Sequence, residues 1–195
     1  HNGNLTNAAE LRKELAADGV VFQTTIDSEV VLSLIARSRK KTLPERVAEA
    51  ADTIKGAFAI LIMNDSQLIA FRDPYGFRPL CLGRLDHGWV VASETCALDL
   101  VGAHYVRDVK PGEMIVIDDE EAEPRSIMYS TCKPAHCAHC IFEYVYFARP
   151  DSIIDGESVY QARLNMGRIL ARETKDIKAD VVISVPDSGT PAAIG

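Results

Sequence analysis

The chain has 195 residues, 47% of them apolar and 25% charged, with a net charge of −7 and a pI near 5.2. This is the composition of a globular protein with enough apolar residues for one large or two small cores. The negative balance argues against non-specific binding to nucleic acid or to an anionic membrane surface. The longest apolar runs, such as 57–63, are too short to span a bilayer.

Residues 7–18 predict a helix with Asn7 as cap, Leu11 and Leu15 on one face and Gly19 as its stop. Asp27-Ser28 opens a second helix with Val30, Val31, Leu34 and Ile35 inward. Thr42-Leu43-Pro44-Glu45 has the spacing of a capping box and starts a third helix that ends near Gly56. The period then changes. Short β-rich runs at 57–63, 68–72, 80–83, 89–92, 105–106 and 114–117 are separated by turn residues such as Asp73-Pro74-Tyr75-Gly76 and Pro111-Gly112. They read as an antiparallel meander with a short helix near 94–101. Helices followed by consecutive strands predict an α+β domain.

The acidic stretch 118–123 and the Cys/His-rich stretch 131–140 read as a linker or edge excursion. Beyond it, 142–147 is a strand candidate. Residues 158–172 predict a helix with Val159, Ala162, Met166 and Ile169 along one side. The wholly apolar run 181–185 reads as a parallel strand covered on both faces. It leads into Pro186-Asp187-Ser188-Gly189-Thr190 and a helix near Pro191, the opening of a nucleotide-type α/β domain. The partition is therefore 1–139 and 140–195, α+β followed by α/β. No basic leader or secretory segment opens the sequence, so a cytoplasmic location is expected. His1 in place of Met, and Gly195 in mid-motif, read as the ends of an interior segment.

Three features carry chemistry. His1-Asn2-Gly3-Asn4 reads as a turn, or as an Asn amide and a Gly N–H aimed at a developing oxyanion. Cys132, Cys137 and Cys140, with His136 and His139 between them, form C-x4-C-x2-C, which fits part of an iron–sulfur pattern, an incomplete zinc site or a loop with adventitious thiols. The loop 186–190 reads as an ordinary strand-to-helix turn, or as a close approach to a phosphate or its metal. The five cysteines are an odd number at uneven spacing, which favours reduced thiols or metal ligation over a disulfide framework. Cys81 and Cys96 sit in or beside apolar elements, as small core residues do.

His1-Asn2-Gly3-Asn4 together with Cys140-Ile-Phe-Glu-Tyr-Val-Tyr-Phe-Ala-Arg-Pro-Asp-Ser-Ile153 resembles the amidophosphoribosyltransferases, with further similarity along the whole chain. These enzymes use glutamine and phosphoribosyl pyrophosphate (PRPP) to make phosphoribosylamine, the first step of de novo purine synthesis. The resemblance implies the second half of an N-terminal-nucleophile (Ntn) glutaminase domain of αββα type, followed by the start of a type I phosphoribosyltransferase domain. It implies Asn2 and Gly3 as the oxyanion hole and Asp27 as the carboxylate that holds the glutamine α-ammonium. The class attacks glutamine with a cysteine at the mature N-terminus; residue 1 here is His, so that cysteine would lie upstream and this segment alone would be inactive.

The resemblance also implies Mg²⁺ near PRPP, with Ser188 contributing. In some members there is a [4Fe–4S] cluster with Cys140 as one ligand, the others coming from the distant C-terminal part. Cys132, Cys137, His136 and His139 depart from the family pattern without an assigned role. A homo-oligomer is expected at full length. Two alternatives remain: another Ntn glutamine amidotransferase, such as a hexosephosphate aminotransferase, and a non-catalytic metal- or cluster-binding module using Cys132, Cys137, Cys140 and His136.

Overall fold

A computed structural model describes residues 1–119, 123–130 and 137–195. The chain is mixed α/β and forms two compact units, residues 1–80 with 109–139, and residues 81–108 with 140–195. The second unit thus takes in 81–108, which the sequence reading grouped with the first part of the chain.

The first unit is a five-stranded antiparallel sheet in the order β1-β2-β3-β7-β8. Its strands are β1 (Asn2–Leu5), β2 (Gly56–Met63), β3 (Gln67–Arg72), β7 (Glu113–Asp118) and β8 (Arg125–Met128). Helices α1 (Ala8–Ala17), α2 (Ser28–Arg37) and α3 (Leu43–Thr53) pack on one face. There Leu11, Leu15, Val30, Val31, Ile35 and Val47 meet Phe58, Ile60, Ile69, Phe71, Met114 and Val116 in one core. The helix-facing residues alternate along the strands and recur every three or four along the helices, while Ala59, Ala70 and Ile115 on the other face of the sheet are buried as well. Thr42 accepts from the Glu45 N–H while the Glu45 side chain accepts from the Thr42 N–H, so the expected capping box is formed. Asn7 does not cap α1. Its side chain accepts from Lys55 N–H at 2.8 Å and donates to the Thr53 carbonyl at 3.1 Å.

The predicted meander is two sheets. In the second unit β4 (Cys81–Leu85), β5 (Gly88–Ala92) and β6 (His104–Asp108) form a separate sheet in the order β5-β4-β6, under α4 (Thr95–Leu100). Leu98 of α4 rests on Gly83, where a Cβ would come within 2.8 Å of its Cδ2. The chain continues through a short hairpin, β9 (Ile153–Ile154) with β10 (Glu157–Ser158), into α5 (Val159–Glu173), and ends with α6 (Gly189–Ile194).

Residues 125–128, just past the acidic stretch, supply β8, which completes the edge beside β7. Three expectations fail for physical reasons. Glu143–Phe147 is a π-helical turn, not a strand. Its backbone is captured by the buried Arg163, which donates from Nε to the Tyr144 carbonyl at 2.6 Å and from Nη2 to the Ala148 carbonyl at 2.7 Å. The same capture rotates α5, whose buried stripe is Val159, Arg163 and Gly167, while Ile169 is exposed. Residues 181–185 form no strand and pair with none among the described residues, and Val181, Val182, Ile183 and Val185 are exposed. An apolar run of this kind becomes a ladder only where neighbouring strands are supplied.

A buried polar cluster lies where the first unit loses and regains the chain. The Arg72 guanidinium is buried and donates to three carbonyls, from Nε to Arg78 at 2.6 Å, from Nη1 to Val109 at 2.8 Å and from Nη2 to Gly76 at 2.9 Å. Val109 N–H donates to the Leu80 carbonyl at 2.8 Å, so the two ends of the 81–108 excursion are joined. Beside it the buried Asp73 carboxylate accepts from the N–H groups of Phe58, Tyr75 and Phe77. Arg72→Ala leaves three buried carbonyls without their donor. It should lower unfolding free energy by about 3–5 kcal/mol, seen as a lower urea midpoint. Arg72→Lys should recover only part of this, because a compact ammonium cannot span the three carbonyls that Nε, Nη1 and Nη2 reach separately.

Candidate active site at the edge of the first sheet

His1-Asn2-Gly3-Asn4 is not a turn; Asn2–Leu5 is a strand at the end of the sheet, antiparallel to β2. Its register decides which way its donors point. Gly3 lies opposite Phe58. Phe58 spends its own groups on the other side, donating to Asp73 Oδ2 at 3.2 Å and accepting from Asp73 N–H at 2.8 Å. Gly3 and Phe58 are therefore a pair that exchanges no bonds, and the Gly3 N–H points outward, away from β2. Leu5, two residues on, points the same way, and its N–H donates to Asp27 Oδ2 at 2.8 Å. The two outward donors are about 7 Å apart along the strand.

Only glycine fits at position 3. Its φ is +130°, and an added Cβ would lie 1.9 Å from the Ala57 carbonyl oxygen. Asn2 is exposed beside it on the same strand.

Asp27 is the N-cap of α2, accepting from Ser28 N–H through Oδ1 at 2.8 Å as well as from Leu5. His1 Nδ1 stands 3.4 Å from Oδ1, and the Asp27 side chain keeps 24% of its surface exposed. A carboxylate offers about four lone-pair sites, so these partners leave acceptor capacity facing solvent. Asn2, Gly3 and Asp27, singled out in the sequence, thus come together at one strand edge, and His1 joins them.

The other predicted residues belong to other elements. Cys137 is exposed and Cys140 half-buried, while Cys132 and His136 fall outside the described residues. Cys137 Sγ lies 3.9 Å from the Gly76 carbonyl oxygen. Cys81 and Cys96 are buried. Burial pushes the Cys81 thiol up to about 12 and also raises that of Cys96, so both are poor nucleophiles. Ser188 is half-buried at the start of α6, and its side chain makes no cap hydrogen bond. Among the described residues no three His, Cys, Asp or Glu side chains converge as a metal site. One thiol at Cys140 and one hydroxyl at Ser188 do not by themselves fit an iron–sulfur cluster or Mg²⁺.

Sequence reasoning missed a polar knot in the second unit. Glu94 Oε2 accepts from Arg149 N–H at 2.8 Å and from the Ser152 hydroxyl at 2.7 Å, and Thr95 Oγ1 accepts from Ile153 N–H at 2.8 Å. This ties the start of α4 to the Ala148–Ile153 segment. The polar Arg-Pro-Asp-Ser run after an apolar stretch was the available signal for it.

Comparison with known proteins gives the family. A family model described as a glutamine amidotransferase domain matches residues 1–100. The whole chain is 48% identical to an amidophosphoribosyltransferase of Rhizobium etli, covering 39% of it, and 47% identical to that of Bacillus subtilis, covering 40%. Among solved structures, glutamine PRPP amidotransferase from B. subtilis, complexed with ADP and GMP, matches with a TM-score of 0.92 at 47% identity. That match covers 99% of this chain and 41% of the other. The chain spans about two fifths of the length of these relatives. No described helix is long and apolar enough to cross a membrane.

Gly3→Ala should force β1 off β2 and break the Leu5–Asp27 bond. The expected cost is about 2–4 kcal/mol, with the Leu5 amide losing its protection from hydrogen exchange.

Proposed function

The chain belongs to the glutamine amidotransferase domain family, and we propose that the protein carrying it is an amidophosphoribosyltransferase. In this reading it hydrolyses glutamine and transfers the ammonia to PRPP, giving phosphoribosylamine. The observation that carries it is the shared strand edge: an outward Gly3 N–H and the Asp27 carboxylate on one side of β1, within a chain similar to amidophosphoribosyltransferases over its whole length.

The geometry suits the two ends of glutamine. Asp27 receives the α-ammonium in a charge-assisted pair, and about 7 Å along the strand the Gly3 N–H meets the side-chain carbonyl, with the Asn2 amide as second donor. Attack by a cysteine thiolate on the amide carbon puts negative charge on that oxygen, and preorganised donors there lower the barrier by about 3 kcal/mol each. The C–N bond breaks, ammonia leaves with a proton, and water releases glutamate from the thioester. Burial raises the thiols of Cys81 and Cys96, so neither is ionised for the attack; the family's N-terminal cysteine is the proposed nucleophile. Ammonia then forms a bond to C1 of PRPP as pyrophosphate departs.

The αββα Ntn form, the type I phosphoribosyltransferase start near residue 140, the homo-oligomer and the cytoplasmic location belong to the same proposal. Mg²⁺ and a [4Fe–4S] cluster do too, with Ser188 and Cys140 as this chain's contributions. Both groups need ligands beyond those two residues, so no step above is routed through them.

In the full-length protein Asp27→Asn should lower glutamine-dependent phosphoribosylamine formation by about 10- to 100-fold, the equivalent of about 1.5–3 kcal/mol. Ammonia-dependent formation should stay within about twofold, because free ammonia never meets that side chain. Equal loss of both would reduce Asp27 to a helix cap. Residues 1–195 alone should release no glutamate from glutamine above the buffer rate; release that stops on cysteine alkylation would place the nucleophile inside this chain.

A further inference from the structure

Asp27 is delivered to the β1 edge by residues 19–26, a loop with little apolar anchorage. Val21 and Ile26 are 86% and 59% exposed, and only Val20 and Phe22 touch the core. Two charged side chains from two different helices hold it instead. Arg12 of α1 donates from Nη1 to the Thr24 carbonyl and from Nη2 to the Ile26 carbonyl, both at 2.8 Å, and its guanidinium lies 4.1 Å from the centre of the Phe22 ring. Glu29 of α2 accepts from Gln23 N–H at 2.7 Å, Thr24 N–H at 3.0 Å and the Thr24 hydroxyl at 2.7 Å. That hydroxyl in turn accepts from Ile26 N–H at 3.2 Å. Arg12 and Glu29 themselves approach to 3.7 Å.

We propose that Arg12 and Glu29 are positioning residues for glutamine capture, acting through the loop backbone to aim the Asp27 carboxylate along the β1 edge. The inference rests on the role given to Asp27 above. Neither residue bonds to β1 or to Asp27, so neither meets substrate. Arg12 instead fixes the peptide immediately before Asp27 and the one two residues earlier, which sets where the Asp27 Cα stands. Such a brace matters more for geometry than for global stability. The loop is exposed, so its freed polar groups would be hydrated at small cost, whereas a displacement of about 1 Å at a binding carboxylate can cost 100-fold in rate. The Gln23 N–H and then the Thr24 hydroxyl hold the Glu29 carboxyl below the usual carboxylate range, so the brace is ionised at neutral pH.

The test uses the full-length protein with Arg12→Gln, Glu29→Gln, the double variant and Asp27→Asn measured side by side. The glutamine KM should rise about tenfold or more in each brace variant, with ammonia-dependent turnover within about twofold of wild type and Tm within about 2 °C. The double variant should be no worse than the product of the singles, because both hold one loop. Arg12→Lys should remain impaired, since a compact ammonium does not reproduce the rigid planar fork whose two terminal nitrogens each meet a carbonyl. Amide exchange at Gln23 and Thr24 should quicken in the folded variants. An unchanged glutamine KM in the brace variants, alongside a raised one in Asp27→Asn, overturns this inference alone. An unchanged KM in Asp27→Asn removes the role of Asp27 and the inference with it. Parallel loss of glutamine and ammonia activities with a fallen Tm makes the pair a general scaffold and also overturns it.

Discussion

A buried guanidinium must find acceptors for its donors or cost several kcal/mol, and Arg72 finds three where the first unit lets the chain go and takes it back. The five-stranded sheet depends on that closure. β3 ends at Arg72 and β7 resumes at Glu113, yet the two strands pair directly although residues 81–108 belong to the other unit. A loop of such length is entropically tolerable when its mouth is fixed. Arg72, with the Val109–Leu80 hydrogen bond and the Asp73 carboxylate beside it, fixes the mouth. The Tyr129 hydroxyl then donates to the Arg72 carbonyl at 2.7 Å, which brings the segment following β8 onto the same point.

The strand edge that carries the candidate site is assembled from opposite directions. Glycine at position 56 lets β2 approach β1 as closely as Gly3 does in reverse, an added Cβ there lying 2.3 Å from the Asn4 carbonyl oxygen. The two strands are thus locked backbone to backbone. Against that rigid rail, the α2 cap is brought in by a loop held through charge. The site joins a stiff element that presents peptide donors to a softer one that presents a carboxylate, and polar side chains supply the precision of the softer part.

The sequence made the helices legible where local chemistry alone sets them: the capping box at Thr42 and Glu45, Gly19 after α1, and the apolar spacing of α2. It misled where distant partners decide. Residues 142–147 are aromatic and β-branched and read as a strand, but Arg163, many residues on, takes their carbonyls into a helical turn. The apolar run 181–185 carries the pattern of a covered strand without the neighbours that would make it one. Within the site, Asn2, Gly3 and Asp27 were legible because the motif resembles known enzymes, while the outward aim of the Gly3 N–H needed the register against Phe58. Arg12 and Glu29 left no mark of their own. Charged residues on helix surfaces are ordinary, and nothing local says that their partners are carbonyls and amides of a loop.

The position of β1 at the rim of its sheet has one more consequence. A strand with outward N–H and C=O groups is a template on which another strand can add, the usual start of edge-to-edge aggregation. Here the Leu5 donor is already taken by Asp27, a negative charge sits against the rim, and the chain turns into α1 within a few residues of Leu5. The carboxylate proposed to receive the glutamine α-ammonium is thus also the group that makes the rim inhospitable to a second peptide strand, and one side chain would serve both ends.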